Sequence, residues 1–174
     1  MLSKTLKSRS TPRAVRTPKP TVGWREWVAL PLLGIEKIKA KIDTGARTSA
    51  LHAYDVTSVR RQGREFVRFK VHPLQKNTRR VVECEVPLLE WRQVTDSSGR
   101  RTLRPVIRTT LAMGGRVVQA EVTLIARDQM GFRMLVGREA LKSRWLVDPS
   151  KSFIGSGKDQ SGQRSRKVRA FEEE

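Results

Sequence analysis

Alternation of apolar and polar residues dominates the middle of the chain and predicts β-strands. Residues 24–30 and 38–42 alternate on either side of a turn sequence at residues 31–34, and residues 65–71 alternate most regularly. A period of two residues places one face of each strand in a core and the other in solvent. The same signal predicts strands over four further segments, residues 80–86, 103–113, 117–126 and 132–136.

One segment has a helical pattern instead. Residues 138–144 follow Gly137 and predict a short helix. Gly114 and Gly115 separate two of the predicted strands and suit the tight turn of a hairpin. Many short strands with a single short helix predict an all-β protein, either a small closed β barrel or a sandwich.

The two ends of the chain differ in composition from this central region. Residues 1–20 combine prolines with Ser, Thr, Lys and Arg and predict a disordered basic arm. Residues 155–174 start with a polar, glycine-rich stretch and continue with mostly charged sequence, so we expect a flexible charged tail. A chain of 174 residues supports one hydrophobic core. We therefore expect a single folded domain over residues 21–154.

The chain is strongly basic, with a formal net charge of +19 at pH 7. Residues 21–150 hold 24 of the 36 basic residues and 13 of the 17 acidic ones, so the predicted domain shares the excess. Such a charge favours an acidic partner, which is a nucleic acid, a ribonucleoprotein, an anionic membrane or a polyacidic peptide. The alternative is that the charge keeps the protein soluble and binds RNA without specificity.

The sequence favours a cytoplasmic protein. No apolar run reaches the roughly 18 residues that suggest a membrane span, and the N-terminus lacks the apolar segment of a secretory signal. Its Arg- and Ser-rich composition also fits an organelle transit peptide, although we favour a basic arm. The single cysteine, Cys84, excludes an internal disulfide and has two glutamate neighbours, so we expect a half-buried strand residue in a reducing compartment.

The segment Asp43-Thr44-Gly45-Ala46 is the main candidate for catalytic chemistry. It follows a predicted strand directly and leads into small residues, as does the carboxylate turn of an acid protease. Gly45 lets the backbone approach closely, and the Thr44 hydroxyl can brace the turn by hydrogen bonds. We predict Asp43 as the catalytic carboxylate, with Thr44 and Gly45 shaping its turn. The alternative is a capped turn carboxylate without a chemical role.

A second element, about 90 residues later, fits the same interpretation. Residues 134–138, Met-Leu-Val-Gly-Arg, place two apolar residues and Gly137 ahead of the predicted helix. In acid proteases of the retroviral type, such an apolar pair packs under the catalytic turn, and the glycine lets the two segments approach. A buried strand that ends in a glycine turn would also give this pattern.

The chemistry of acid proteases requires a pair of carboxylates. The two must lie within about 3 Å and share one proton, because like charges at that distance cannot both ionise. This chain offers one Asp-Thr-Gly sequence and one domain. A working site therefore requires a homodimer, with Asp43 from each protomer.

Residues 39–53, Lys-Ala-Lys-Ile-Asp-Thr-Gly-Ala-Arg-Thr-Ser-Ala-Leu-His-Ala, resemble the hallmark of the RimB family. These bacterial retropepsin-like proteins are also labelled ATP-dependent zinc proteases. The resemblance extends over about residues 22–154 and implies a closed, retropepsin-like β barrel with one short helix. It also implies Asp43 as the catalytic residue. The other segments that carry it are residues 67–73, 96–99, 104–107, 134–141 and 146–150.

The same resemblance implies a substrate. RimB proteins are linked to the trimming of glutamates that the ATP-grasp ligase RimK adds to the C-terminus of a small-subunit ribosomal protein. It therefore implies an aspartic peptidase that acts on a glutamylated peptide tail and has a functional link to that ligase. Two alternatives remain open, a non-catalytic module that binds acidic tails and a ribosome- or RNA-binding protein that uses its basic arms.

One departure from the wider retropepsin pattern bears on the substrate. Those enzymes usually carry an acidic residue after Asp-Thr-Gly-Ala, whereas this chain has Arg47. With Arg104 and Arg138, this arginine lies in the best-matching segments, and the three could line one cleft for a glutamate tail, since arginine binds carboxylates in a bidentate manner. The alternative is that they pair with surface acids, namely Glu26, Glu85 or Asp148.

We expect neither a metal nor another cofactor. A catalytic zinc needs about three protein ligands at suitable spacing, and the imidazole and thiol candidates are limited to His52, His72 and Cys84. The chain has no phosphate-binding Gly-x-x-x-x-Gly-Lys-Ser/Thr sequence, so any ATP dependence would belong to a partner ligase.

Two further hypotheses concern mobile parts of the chain. Residues 73–80 are a candidate hairpin tip that could act as a flap. The C-terminal Glu172, Glu173 and Glu174 resemble a glutamate-ended peptide and could dock in the site of a partner protomer. The alternative for this tail is a solvated charged terminus.

Overall fold

The structure is a computed structural model that describes residues 18–75, 77–96, 98–126 and 131–155. Within these ranges, none of the helices is both long and apolar enough to cross a membrane. The elements are one helix, α1 (Arg138–Leu141), a 3-10 turn at Pro31–Leu33, and the strands β1 (Thr21–Leu30), β2 (Ile35–Asp43), β3 (Ser49–His52), β4 (Tyr54–Arg61), β5 (Arg64–Val71), β6 (Val82–Pro87), β7 (Glu90–Thr95), β8 (Arg101–Met113), β9 (Arg116–Ile125), β10 (Met134–Gly137) and β11 (Leu146–Ser152).

The strands form two sheets. Eight of them follow the order β11-β1-β2-β10-β3-β9-β8-β7, and β4, β5 and β6 form a smaller antiparallel sheet. A pairing between β1 and β8 joins the larger sheet into a ring, through the single partner pair Ala29 and Ala112. The predicted all-β fold with one short helix is confirmed. The larger sheet is a ring with a short join, in place of the closed barrel expected from the sequence.

The inward residues of the ring form one apolar core. Fully buried side chains come from strands on all sides of the ring, for example Ile38 of β2, Leu51 of β3 and Leu111 of β8. The smaller sheet contributes Phe69, which is also completely buried, so its strands pack against the same core. Burial of this apolar surface is the main stabilising contribution to the fold.

Most predicted strands occur with shifts of one to three residues at their ends. The Gly114-Gly115 turn is confirmed, because both glycines have positive φ (55° and 72°), as a two-residue hairpin turn requires. The predicted helix is shorter than expected. It ends at Leu141, since Lys142 has an extended backbone (φ −49°, ψ 128°) and Ser143 has positive φ (63°).

The candidate flap region, residues 73–80, connects β5 and β6, which pair as an antiparallel hairpin. Its residue 76 lies outside the described residues. One side chain of this connection is tied to a distant loop, because the Gln75 amide donates a hydrogen bond of 2.6 Å to the carbonyl of Gly131.

Candidate active site

Asp43 is the last residue of β2, and its carboxylate is anchored by the turn that follows. Oδ1 accepts hydrogen bonds from the backbone N–H groups of Gly45 (3.1 Å) and Ala46 (3.0 Å). Within the described part of the chain, Oδ2 has no hydrogen-bond partner, and the side chain is half-buried. One oxygen is therefore fixed by the backbone, while the other remains available to a ligand or a second protomer.

The strand that ends in Gly137 packs directly beside this turn. β10 runs parallel to β2 with Gly137 opposite Asp43, and it also pairs antiparallel with β3. A Cβ atom on Gly137 would lie 2.6 Å from the carbonyl carbon of Thr48 and 2.9 Å from the carbonyl oxygen of Arg47. The backbone approach expected from the sequence is therefore real, and only glycine fits at this position.

Hydrogen bonds connect the start of α1 to the turn that follows Asp43. The N–H groups of Arg138 and Glu139 donate to the carbonyls of Ala46 (2.8 Å) and Arg47 (3.1 Å). The Arg138 guanidinium also donates to the carbonyl of Thr44, at 3.2 Å. The backbone carbonyl of Thr44 thus attaches the turn to Arg138, while the Thr44 side chain is exposed. Arg138 is therefore close to the turn.

Arg47 is exposed and lies in the connection between β2 and β3. It has no ion-pair partner among the described residues, and its side chain lines a polar cavity of about 530 Å³. Asp43 is not among the residues that line this cavity within the described chain. Its walls come from the turn, α1 and the outer face of the larger sheet, namely from Arg47, Thr48, Glu90, Arg92, Gln119, Ala120, Glu121, Glu139 and Ala140.

Arg92 lies on β7 and supports the turn, although no motif in the sequence indicated it. Its guanidinium donates to the Thr48 hydroxyl (3.3 Å), pairs with Glu121 (2.8 Å) and contacts Glu90. The hydrogen bond that Arg92 donates to Glu121 lowers the pKa of the Glu121 carboxyl and raises the pKa of the Arg92 guanidinium. This half-buried network links two distant strands to the turn. The signal that could have revealed it is the alternation of Glu90, Arg92 and Val94 along one strand face.

Arg104 is not brought to the turn in the same way as Arg47 and Arg138. It lies on β8, with 8% of its surface exposed, opposite Arg92 of β7. Its Nε atom donates to the Thr102 hydroxyl at 2.8 Å. Its predicted role in substrate binding stays a prediction.

The acids that were the alternative partners of these arginines have other contacts. Glu85 pairs with Arg61 and Arg68 of the smaller sheet. Asp148 pairs with Lys151, and hydrogen bonds from Ser150 lower the pKa of its carboxyl to about 2. The third acid, Glu26, is fully buried and accepts hydrogen bonds from backbone N–H groups.

The three side chains considered as zinc ligands, His52, His72 and Cys84, pack or form contacts within the fold. His52 is buried on β3, and the His72 ring stacks on Tyr54 with 4.6 Å between ring centroids. The Cys84 thiol donates to the carbonyl of Leu33 at 3.6 Å, and burial raises its pKa to about 11. Among the described residues, no three His, Cys, Asp or Glu side chains form a group that could hold a metal ion. The donors therefore do not fit the zinc that the family label implies.

Three curated relatives, each named "Probable alpha-L-glutamate ligase", match the same region. Those of Shewanella pealeana and Shewanella halifaxensis are each 42% identical over 132 residues, which cover 76% of this chain and 29% of each relative. That of Desulfotalea psychrophila is 46% identical over 132 residues, 76% of this chain and 28% of the relative. The chain thus spans less than a third of these proteins, and most of each relative lies outside the match.

A crystal structure of a protein of unknown function from Legionella pneumophila superposes with a TM-score of 0.65 at 26% identity. The superposition covers 78% of this chain and 98% of that protein, so the two share nearly the whole of its fold. The sequence profile of the RimB-like family, described as retropepsin-like aspartic endopeptidase RimB, matches residues 21–158, which include both the Asp43 turn and Gly137. The chain belongs to this RimB-like, retropepsin-like family.

Proposed function

We propose that this chain is one protomer of an aspartic peptidase that trims glutamates from the RimK-modified C-terminus of a ribosomal protein. The observation that carries the proposal is the way in which the Asp43 carboxylate is held. Its Oδ1 is held by two backbone amides, and its Oδ2 is open at the end of a strand beside the close-packed Gly137. A carboxylate fixed in this manner is prepared for chemistry without further reorganisation.

The reaction requires a second Asp43, supplied by an identical protomer. With the two carboxyls about 3 Å apart, one is ionised and the other protonated. The ionised carboxylate takes a proton from water, whose oxygen forms a bond to the scissile carbonyl carbon. The protonated carboxyl donates to the carbonyl oxygen, and the C–N bond then breaks as the leaving amine takes up a proton.

The charges around the turn support an acidic substrate. Arg47 is exposed without an ion-pair partner among the described residues, and Arg138 is attached to the turn through Thr44. Guanidinium groups in these places can bind carboxylates of a peptide that lies over Asp43. We assign substrate binding to Arg47 and Arg138 at the turn, and the same role for Arg104 of β8 remains part of the proposal.

The relatives provide a second line of support. Each is named a glutamate ligase, and the matched region makes up 28–29% of its length. A domain of this family within the same polypeptide as a ligase fits a division of labour, in which one part adds glutamates and the other removes them. The basic arm at residues 1–20, most of which lies outside the described residues, would hold the peptidase near ribosomal RNA.

The test is mass spectrometry of a glutamate-extended ribosomal-protein tail peptide after incubation with the protein. We expect wild type to shorten the peptide and Asp43→Asn to leave it intact, because the substitution removes the proton-accepting carboxylate. Asp55→Asn is the matched control, since Asp55 pairs with Lys70 on the smaller sheet. Shortening by Asp43→Asn would contradict the proposal. Binding without shortening by wild type would favour a non-catalytic module.

A further inference from the structure

Three lysines lie in a line on the outer face of β2. Lys37, Lys39 and Lys41 alternate with residues that are buried in the core, so their side chains share the opposite face of the strand. Lys37 and Lys41 are exposed, and Lys39 is half-buried. Alternate residues of a strand are about 6.6 Å apart, and the three lysines, here called the lysine row, therefore extend over about 13 Å.

Aromatic rings of neighbouring strands hold part of the row in place. The Lys37 ammonium lies 4.3 Å from the ring centroid of Trp27, and that of Lys39 lies 5.7 Å from the same ring. Phe153 stacks on Trp27 with 5.7 Å between centroids and is 5.6 Å from the Lys39 ammonium. Such contacts favour a positive charge over each ring and orient the lysine side chains.

The lysine row stands apart from the ion pairs of the described residues. Within the described ranges, none of the three lysines forms an ion pair, whereas Lys70 pairs with Asp55 and Glu83. Arg25 of β1 is the direct cross-strand partner of Lys41, so a further cation lies beside the row. Like charges in directly opposite positions destabilise a sheet. The charge of the row is therefore available to a ligand outside the protomer.

The lysine row leads to the candidate catalytic residue. The alternation of β2 continues to its end, so Asp43 follows Lys41 on the same outer face, two residues later. A ligand that binds along the row therefore places its next segment over the Asp43 carboxylate. This arrangement distinguishes the row from basic residues elsewhere on the surface.

The geometry points to an extended oligoglutamate segment as the ligand of the lysine row. We propose, on the basis of the function proposed above, that the row binds the side-chain carboxylates of alternate glutamates and thereby sets the position of the scissile bond at Asp43. An extended peptide repeats its side chains on one face every 6.6–6.8 Å or so, which matches the lysine spacing. Single-stranded RNA fits less well, because Lys37 already covers the Trp27 ring that a base would need.

The test measures binding of glutamate peptides of two to eight residues to the Asp43→Asn protein, which separates binding from cleavage. We expect affinity to rise with length up to about five residues, the length that spans three lysines in an extended chain. Lys41→Gln should weaken the binding of a six-residue peptide about two- to five-fold, as for an exposed ion pair. Substitution of all three lysines by glutamine should weaken the binding of this peptide about ten-fold or more. The difference from the parent protein should be smaller at high salt, because salt screens the charges.

Lys142→Gln is the matched control, since Lys142 is exposed at the end of α1 and the substitution removes the same charge. Equal affinities of Lys41→Gln, Lys142→Gln and the parent protein would overturn the proposal, and so would tighter binding of a single-stranded oligonucleotide than of the peptide. Length-dependent binding that requires Lys41 would support the lysine row even if wild type cleaves nothing. Cleavage by wild type without such binding would reject the row and leave the proposed peptidase intact.

Discussion

At the residue scale, Gly137 determines how closely the two halves of the candidate site approach. A Cβ atom there would meet backbone atoms of Thr48 at 2.6 and 2.7 Å, and backbone cannot move aside as a flexible side chain can. We predict that Gly137→Ala lowers the free energy of unfolding by about 1–3 kcal/mol, the usual cost of overpacking. Because the displaced segment leads to Asp43, cleavage of the glutamate peptide should fall further than the folded fraction. Chemical denaturation and peptide mass spectrometry measure the two effects.

The control for Gly137→Ala is another glycine with room for a side chain. Counting only the described residues, Gly131 has no atom within 4 Å of an added Cβ, and its φ is not positive. Gly131→Ala should therefore change the free energy of unfolding by no more than about 0.5 kcal/mol, as is usual for surface positions. Equal stability of the two variants would show that the turn adapts easily to a side chain at Gly137.

At the scale of elements, the next prediction concerns Glu26, which joins β1 to the segment that follows β11. This buried carboxylate accepts hydrogen bonds from the N–H groups of Gly23 (2.6 Å), Ile154 (3.0 Å) and Gly155 (3.0 Å). Glu26→Ala leaves these donors without their acceptor, and we expect a loss of about 2 kcal/mol or more in unfolding free energy. Hydrogen exchange at Ile154 and Gly155 should accelerate.

Glu36→Ala provides the comparison for this junction. The side chain of Glu36 is 86% exposed and its contact with Arg80 is long, at 3.8 Å, so its removal should have little effect on stability or exchange. If Glu26→Ala were as stable as Glu36→Ala, the carboxylate would not be what holds the end of the domain. If Glu26→Ala lowers the unfolding free energy while hydrogen exchange at Ile154 stays slow, the loss of stability comes from the interior of β1 and not from the junction.

The elements also explain what the sequence could predict. β5 and residues 107–113 of β8 alternate because one face is buried and the other is solvated, and a period of two is easy to detect. β3 was missed, since all four of its residues are buried and no alternation exists. β7 and β11 were missed because they are short, polar and lie at the edges of the ring sheet.

The candidate site divides in the same way. The placement of Asp43 on a turn after a strand and the close backbone approach at Gly137 were predictable, because each residue belongs to a short contiguous sequence that fixes its own local geometry. Arg92 was not, since its contact with Thr48 depends on the pairing of β7, β8, β9 and β3. The lysine row falls between these cases. Its residues lie close together in the sequence, but their common outer face and their lack of ion pairs among the described residues become visible only in the sheet.

At the scale of the whole molecule, the net charge opposes dimer formation, whereas the single Asp43 turn of each chain requires it for the proposed chemistry. A formal net charge of +19 makes two identical chains repel each other, and an acidic ligand between them would reduce this repulsion. The proposed chemistry nevertheless requires two protomers, because each contributes one Asp43. We therefore expect peptidase activity to increase more steeply than in proportion to protein concentration at low salt, where screening is weak.

Mixing of subunits tests the shared site most directly. If both protomers must supply Asp43, random pairing of equal amounts of wild type and Asp43→Asn leaves about a quarter of the dimers intact, so total cleavage falls to about half that of the wild type alone. The matched mixture with Asp55→Asn should raise cleavage instead, because both of its partners keep Asp43. Unchanged cleavage after complete exchange with Asp43→Asn would mean that one carboxylate is sufficient. The second proton-transfer group would then have to come from the same protomer.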